Sequence, residues 1–65
     1  MAHYNFIQKS YDHTLKKWDI SITPYKRKSE AMAELEKHAT ILLNKKERRG
    51  IDGAGVIYSV IRQLN

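Results

Sequence analysis

Val56-Ile57-Tyr58-Ser59-Val60-Ile61-Arg62-Gln63-Leu64 decides how this chain folds, because it can be read in two ways. Its Val, Ile and Tyr residues favour a strand by side-chain type. Val56, Ile57, Val60, Ile61 and Leu64 also fit the apolar stripe of a helix. A short β-branched run after glycine reads as a strand, here one that is apolar on both sides. The preceding Gly50-Ile51-Asp52-Gly53-Ala54-Gly55 packs three glycines into six residues and reads as a loop.

Toward the N-terminus the period changes to that of a helix. Ala31, Met32, Leu35, Ala39, Leu42 and Leu43 form one stripe at helical spacing. Ser29 can cap the start, its hydroxyl accepting from a free N–H of the first turn. Glu30 and Glu34 fall near the positive end of the helix dipole, and Lys45 and Lys46 near the negative end. Gly50 is a natural C-cap. The spacing predicts a helix over about residues 29–46. Ile41 lies off the stripe and is expected to face solvent or a partner.

Two stretches nearer the N-terminus alternate with a period of two. In Lys17-Trp18-Asp19-Ile20-Ser21-Ile22-Thr23-Pro24-Tyr25, Trp18, Ile20 and Ile22 share one face. Pro24 lacks a backbone donor and closes this strand. Over residues 2–10, Tyr4 and Phe6 fall on one side and His3, Asn5 and Ile7 on the other. Tyr11-Asp12-His13-Thr14 is polar enough for the hairpin loop between them.

The expected fold is α+β: a small single domain over residues 1–65, ordered β-β-α-β, with a three-stranded sheet and one helix packed on one face. Pattern leaves the strand order open. The last strand could pair antiparallel with the first, or parallel with the second through a right-handed crossover. Tyr4, Phe6, Trp18, Ile20 and Ile22 are expected to point at the helix. The opposite face would then carry Ile7, Thr23 and Tyr25, with Ile57 and Ile61, or Val56, Tyr58 and Val60, from the last strand.

Lys and Arg number twelve against seven Asp and Glu, a formal net charge of +5. Charge at this level constrains partners rather than fold. Two runs carry much of it: Lys26-Arg27-Lys28 and Lys45-Lys46-Glu47-Arg48-Arg49. A helix running back over the sheet would bring Lys45, Lys46, Arg48 and Arg49 toward Lys9, Lys16 and Lys17 at the hairpin tip. Lys26, Arg27 and Lys28 would stay at the far pole.

The chain contains no cysteine, which excludes disulfides and thiolate-bound zinc. No stretch is long and apolar enough to span a bilayer, and the N-terminus lacks the basic-then-apolar order of a signal peptide. A cytoplasmic protein is expected. Gly53-Ala54-Gly55 lacks the third glycine of a dinucleotide fingerprint, where Tyr58 stands, and no Gly-Lys-Ser or Gly-Lys-Thr follows. His3, His13 and His38 are scattered, and Ser10, Asp12 and His13 are adjacent without triad geometry. No enzyme, metal or cofactor is expected.

These features imply a non-catalytic basic binding module. The leading expectation is nucleic-acid binding through phosphate contacts from Lys45, Lys46, Arg48 and Arg49, flanked by Lys9, Lys16 and Lys17. The alternative is a protein-interaction module, such as a small inhibitor or adaptor of the build common among phage and mobile-element products. It would use Ile7, Tyr25, Ile41, Ile57 and Ile61 as its contact face and dock its basic pole on an acidic protein surface. A homodimer is compatible with either.

Overall fold

The first strand turns back on itself through residues 13–16, and this turn sets the register of half the sheet. Asp12 Oδ1 accepts the backbone N–H of Thr14 at 2.9 Å and of Leu15 at 3.1 Å. Lys16 then takes a left-handed backbone, φ 54°. Asp12 pairs with Lys17, and the register continues to Tyr4 opposite Tyr25. Loop length thus fixes the pairing of every later residue.

The computed structural model describes residues 2–44 and 48–64. In chain order it contains β1 (Ala2–Asp12), β2 (Lys17–Tyr25), α1 (Lys28–His38), β3 (Ile41–Asn44), β4 (Arg49–Ile51) and β5 (Ile57–Leu64). The sheet order is β2-β1-β5-β4-β3, with every neighbouring pair antiparallel. The fold is α+β with one helix, as expected, and residues 57–64 form a strand. That strand pairs antiparallel with β1, running from Ala2 opposite Leu64 to Lys9 opposite Ile57.

The expected three-stranded sheet is corrected by the short strands β3 and β4, which come from residues read as helix and loop. The helix ends at His38, not near residue 46. Its C-cap is Ala39, which has an extended backbone and donates its N–H to the Leu35 carbonyl. Thr40 and Ile41 follow, both β-branched and better suited to a strand. The Thr40 N–H donates to the Ile51 carbonyl at 3.0 Å, and Ile41 pairs with Ile51. Ladder hydrogen bonds at the sheet edge therefore win over two further helical turns. Gly50 is not a helix cap but a buried residue of β4, opposite Tyr58. At the other end Arg27 is the N-cap, with no side-chain capping bond, so Ser29 does not fill that role. The expectations for Lys45 and Lys46, and for the side chains of Leu42 and Leu43, lie outside the described residues.

The helix packs over β1 and β5. Phe6, Ala31, Leu35, Tyr58 and Val60 form the buried core, with Tyr4, Tyr25, Met32, Ala39 and Val56 packed around it. Burying side chains the size of Phe6, Leu35 and Val60 contributes about 1.5–3 kcal/mol each. His38 closes the far end of the core, its ring stacked on Phe6 and Tyr58 at centroid distances of 5.8 and 5.7 Å. Among the described residues, no helix is long and apolar enough to cross a membrane.

Candidate interaction face of the sheet

The hairpin register decides what the uncovered side of the sheet displays. Phe6 pairs with Thr23, and Tyr4 with Tyr25. Directly paired residues share a face. The even residues of β1 therefore lie with the odd residues of β2 on the helix side. The other side receives Ile7 opposite Ile22, Lys9 opposite Ile20, and Tyr11 opposite Trp18. Across β5 the same face takes Ile57 opposite Lys9, and Ile61 opposite Asn5.

Two expectations are corrected here. Trp18, Ile20 and Ile22 do not point at the helix; they are 51%, 57% and 56% exposed on the open face. Tyr25 is not part of that face, but packs on the helix side against the core. Their alternation identified two faces of β2, yet parity chose which face joins Phe6. An even number of residues separates the strands, so even pairs with odd. That parity was the available signal for the missed residues Trp18, Ile20 and Ile22.

The centre of the open face is aliphatic, with Asn5 and Gln63 hydrogen-bonded to each other toward one end. Ile61, at 52% exposed, and Ile57 carry it across β5, and Ile51 extends it onto β4 beside Ile57. Ile41 pairs with Ile51 and is exposed. Exposed apolar surface that is contiguous rather than scattered marks an interaction site. At the hairpin end, the Trp18 ring meets Tyr11 edge to face at 5.4 Å, and Tyr11 meets His13 the same way at 4.9 Å.

Cations sit within this apolar surface. A shallow trough is lined by Lys9, Trp18 and Ile20 on one side and by Arg49, Ile57 and Ile61 on the other, with Arg48 also at its wall. The Arg48 guanidinium itself lies toward the helix side, 6.0 Å from the Tyr4 ring centroid, and its Nε is buried with no hydrogen-bond partner among the described residues. Lys9 is thus brought together with Arg49 on the open face. Lys16 and Lys17 are not; they stand at the hairpin tip, beyond the last β1–β5 pair. Among the described residues the basic pole expected from sequence is therefore divided, because the helix ends at His38 and Arg49 stands in β4 opposite Ser59 rather than beyond a helix end at the hairpin tip.

Carboxylates are sorted the other way. Asp12 and Asp19 lie on the helix side of the hairpin by register, and Glu30, Glu34 and Glu36 are on α1. Asp52 is held in the β4–β5 loop. Its Oδ1 accepts from the Ala54 and Val56 N–H groups at 2.9 Å each, and its Oδ2 from the Tyr58 hydroxyl at 2.7 Å. The Tyr58 hydrogen bond, then the loop N–H groups, hold the Asp52 carboxyl below its ordinary pKa, against a smaller effect of burial. The same bond, with burial and the nearby negative charge, raises Tyr58. Among the described residues no carboxylate falls on the open face.

No family model, curated protein or solved structure matches this chain.

Proposed function

We propose that this protein is a non-catalytic interaction module that binds another protein through the open face of its sheet. One observation carries the reading: Trp18, Ile20, Ile22 and Ile61 are each more than half exposed on one continuous face. Leaving such a surface in water forgoes about 25 cal/mol for each Å² that a partner could cover. Aliphatic side chains gain little from bases or phosphates, so a protein surface suits this face better than nucleic acid does.

Nucleic-acid binding through phosphate contacts is the second reading. Lys9 and Arg49 beside Trp18 in one trough support it, since bases stack on exposed aromatic rings and phosphates pair with cations. Lys16 and Lys17 at the hairpin tip would add to the backbone contacts.

Photo-crosslinking separates the two. A photoreactive residue replacing Ile22 on the open face, or Glu36 on the helix, is activated in nuclease-treated cell extract. Protein adducts from position 22 and not from position 36 are expected. Adducts that appear only without nuclease favour the second reading, and equal labelling from both positions sinks the open-face assignment.

A further inference from the structure

We infer that the protein met by the open face is a second copy of this chain, packed sheet against sheet in a reversible two-fold pair. The inference rests on the protein-binding reading above and names the partner.

Self-complementarity supplies the first argument. A two-fold interface sets one patch against itself, so any charge it holds is brought toward like charge. This face holds little. Its middle is Ile7, Ile20, Ile22, Ile57 and Ile61, with Trp18 at the hairpin end. Arg49, opposite Ser59, already has a partner within the chain. Lys9 stands between Ile20 and Ile57. A lysine in such a place can lay its methylene stem along apolar surface and keep its ammonium in water at the rim. So sparse a charge pattern does not select a charged stranger. Aliphatic side chains from two sheets, by contrast, interdigitate at a spacing of about 10 Å, as in a β-sandwich.

Area supplies the second argument. β1, β2 and β5 are 11, 9 and 8 residues long, and β4 and β3 extend the sheet beyond them with three and four. At about 3.3 Å per residue and about 4.8 Å between strands, the face offers roughly 500–600 Å² in flat projection. Two copies then cover about 1,000–1,200 Å², the lower end of specific interfaces and enough for a pair that separates and re-forms. The helix already covers the other side, so pairing leaves each sheet covered on both faces. At about one micromolar the copies are apart, and unfolding measured there reports the single chain.

The protein contains its own reporter, because Trp18 is its only tryptophan and is 51% exposed on this face. The purified chain is sedimented from about one to several hundred micromolar, and Trp18 emission is read at each concentration. The apparent mass is expected to double across tens of micromolar, with emission shifting to the blue in step. Ile22→Lys and, separately, Ile20→Lys should each move the midpoint up at least tenfold. Both side chains are more than half exposed, so the fold should survive, which circular dichroism checks. Glu36→Gln, an equal charge change on the exposed helix surface, should leave the midpoint within about twofold.

A single-chain mass at every concentration overturns the second copy; adducts to other proteins from position 22 would then still stand for the broader reading. Doubling that leaves Trp18 emission unchanged and ignores both lysine variants places the contact elsewhere and also overturns it. Growth past two copies overturns the closed pair in favour of a head-to-tail contact.

Discussion

The Tyr58 hydroxyl donates to Asp52 Oδ2 at 2.7 Å, tying the loop between β4 and β5 to a residue of the buried core. Asp52 also receives two backbone N–H groups through Oδ1, so one carboxylate organises the whole connection. Asp52→Ala removes all three acceptor contacts and should lower the melting temperature at neutral pH. Tyr58→Phe should lower it less, since the backbone contacts persist. The pH dependence follows from the shifts. Asp52 is depressed in the folded state, so its contribution is present above the ordinary value of 3.8 and fades as pH falls through the folded value. Tyr58 is raised, so its contribution is present below 10.0 and fades as pH rises through its folded value. Melting curves of the wild type and Asp52→Ala should converge in strong acid; a constant gap would remove the carboxylate from the account.

Val60 and Ile61 are chain neighbours with opposite fates. Val60 is 1% exposed beneath the helix and Ile61 is 52% exposed on the open face. Threonine keeps the β-branched shape, so Thr substitutions isolate burial. Val60→Thr buries a hydroxyl and should cost about 1–3 kcal/mol. Ile61→Thr should stay within about 0.5 kcal/mol. Urea unfolding of both variants checks the facing of β5, and reversed costs would invert it.

Gly53 and Gly55 lie two residues apart in the Asp52 loop, and a Cβ would meet nothing within 4 Å at either. Only Gly55 has a left-handed backbone, φ +85°. Gly55→Ala should therefore cost about 1–2 kcal/mol through backbone strain alone. Gly53→Ala should be close to neutral. Equal losses in thermal unfolding would place the cost in packing instead.

Lys16 closes the β1–β2 turn with φ 54°, a region that glycine enters without steric penalty. Lys16→Gly should leave hairpin stability unchanged or raised by up to about 1 kcal/mol. Amide exchange of Tyr11 and Trp18, measured by NMR, reports it. Faster exchange at both would contradict the turn geometry.

How far the sequence could be read depends on the range of the interaction that decided each element. Alternation in residues 17–25 and the β-branched residues of 57–64 are local, and both segments are strands. Ala31, Met32 and Leu35 repeat at helical spacing, and their helix is present. The helix end was not legible. Leu42 and Leu43 continue the helical stripe, yet their backbone lies in β3, whose edge position exists only once β5 and β4 are in place. The candidate site divides in the same way. Ile7, Ile57, Ile61 and Lys9 share the open face, as a period of two allows. Trp18, Ile20 and Ile22 join them, and Tyr25 leaves, because turn parity outweighs side-chain hydrophobicity.

By itself the sequence determined the local periods, the mixed α+β character, the excess of positive charge and the lack of thiol chemistry. Each is a property of neighbouring residues or of composition. Tertiary structure alone decided which period-two face met the helix, where the helix stopped, and that Lys9 stands with Arg49 rather than with Lys16 and Lys17. Those outcomes depend on register between strands distant in the chain, where a shift of one residue moves every side chain to the other face.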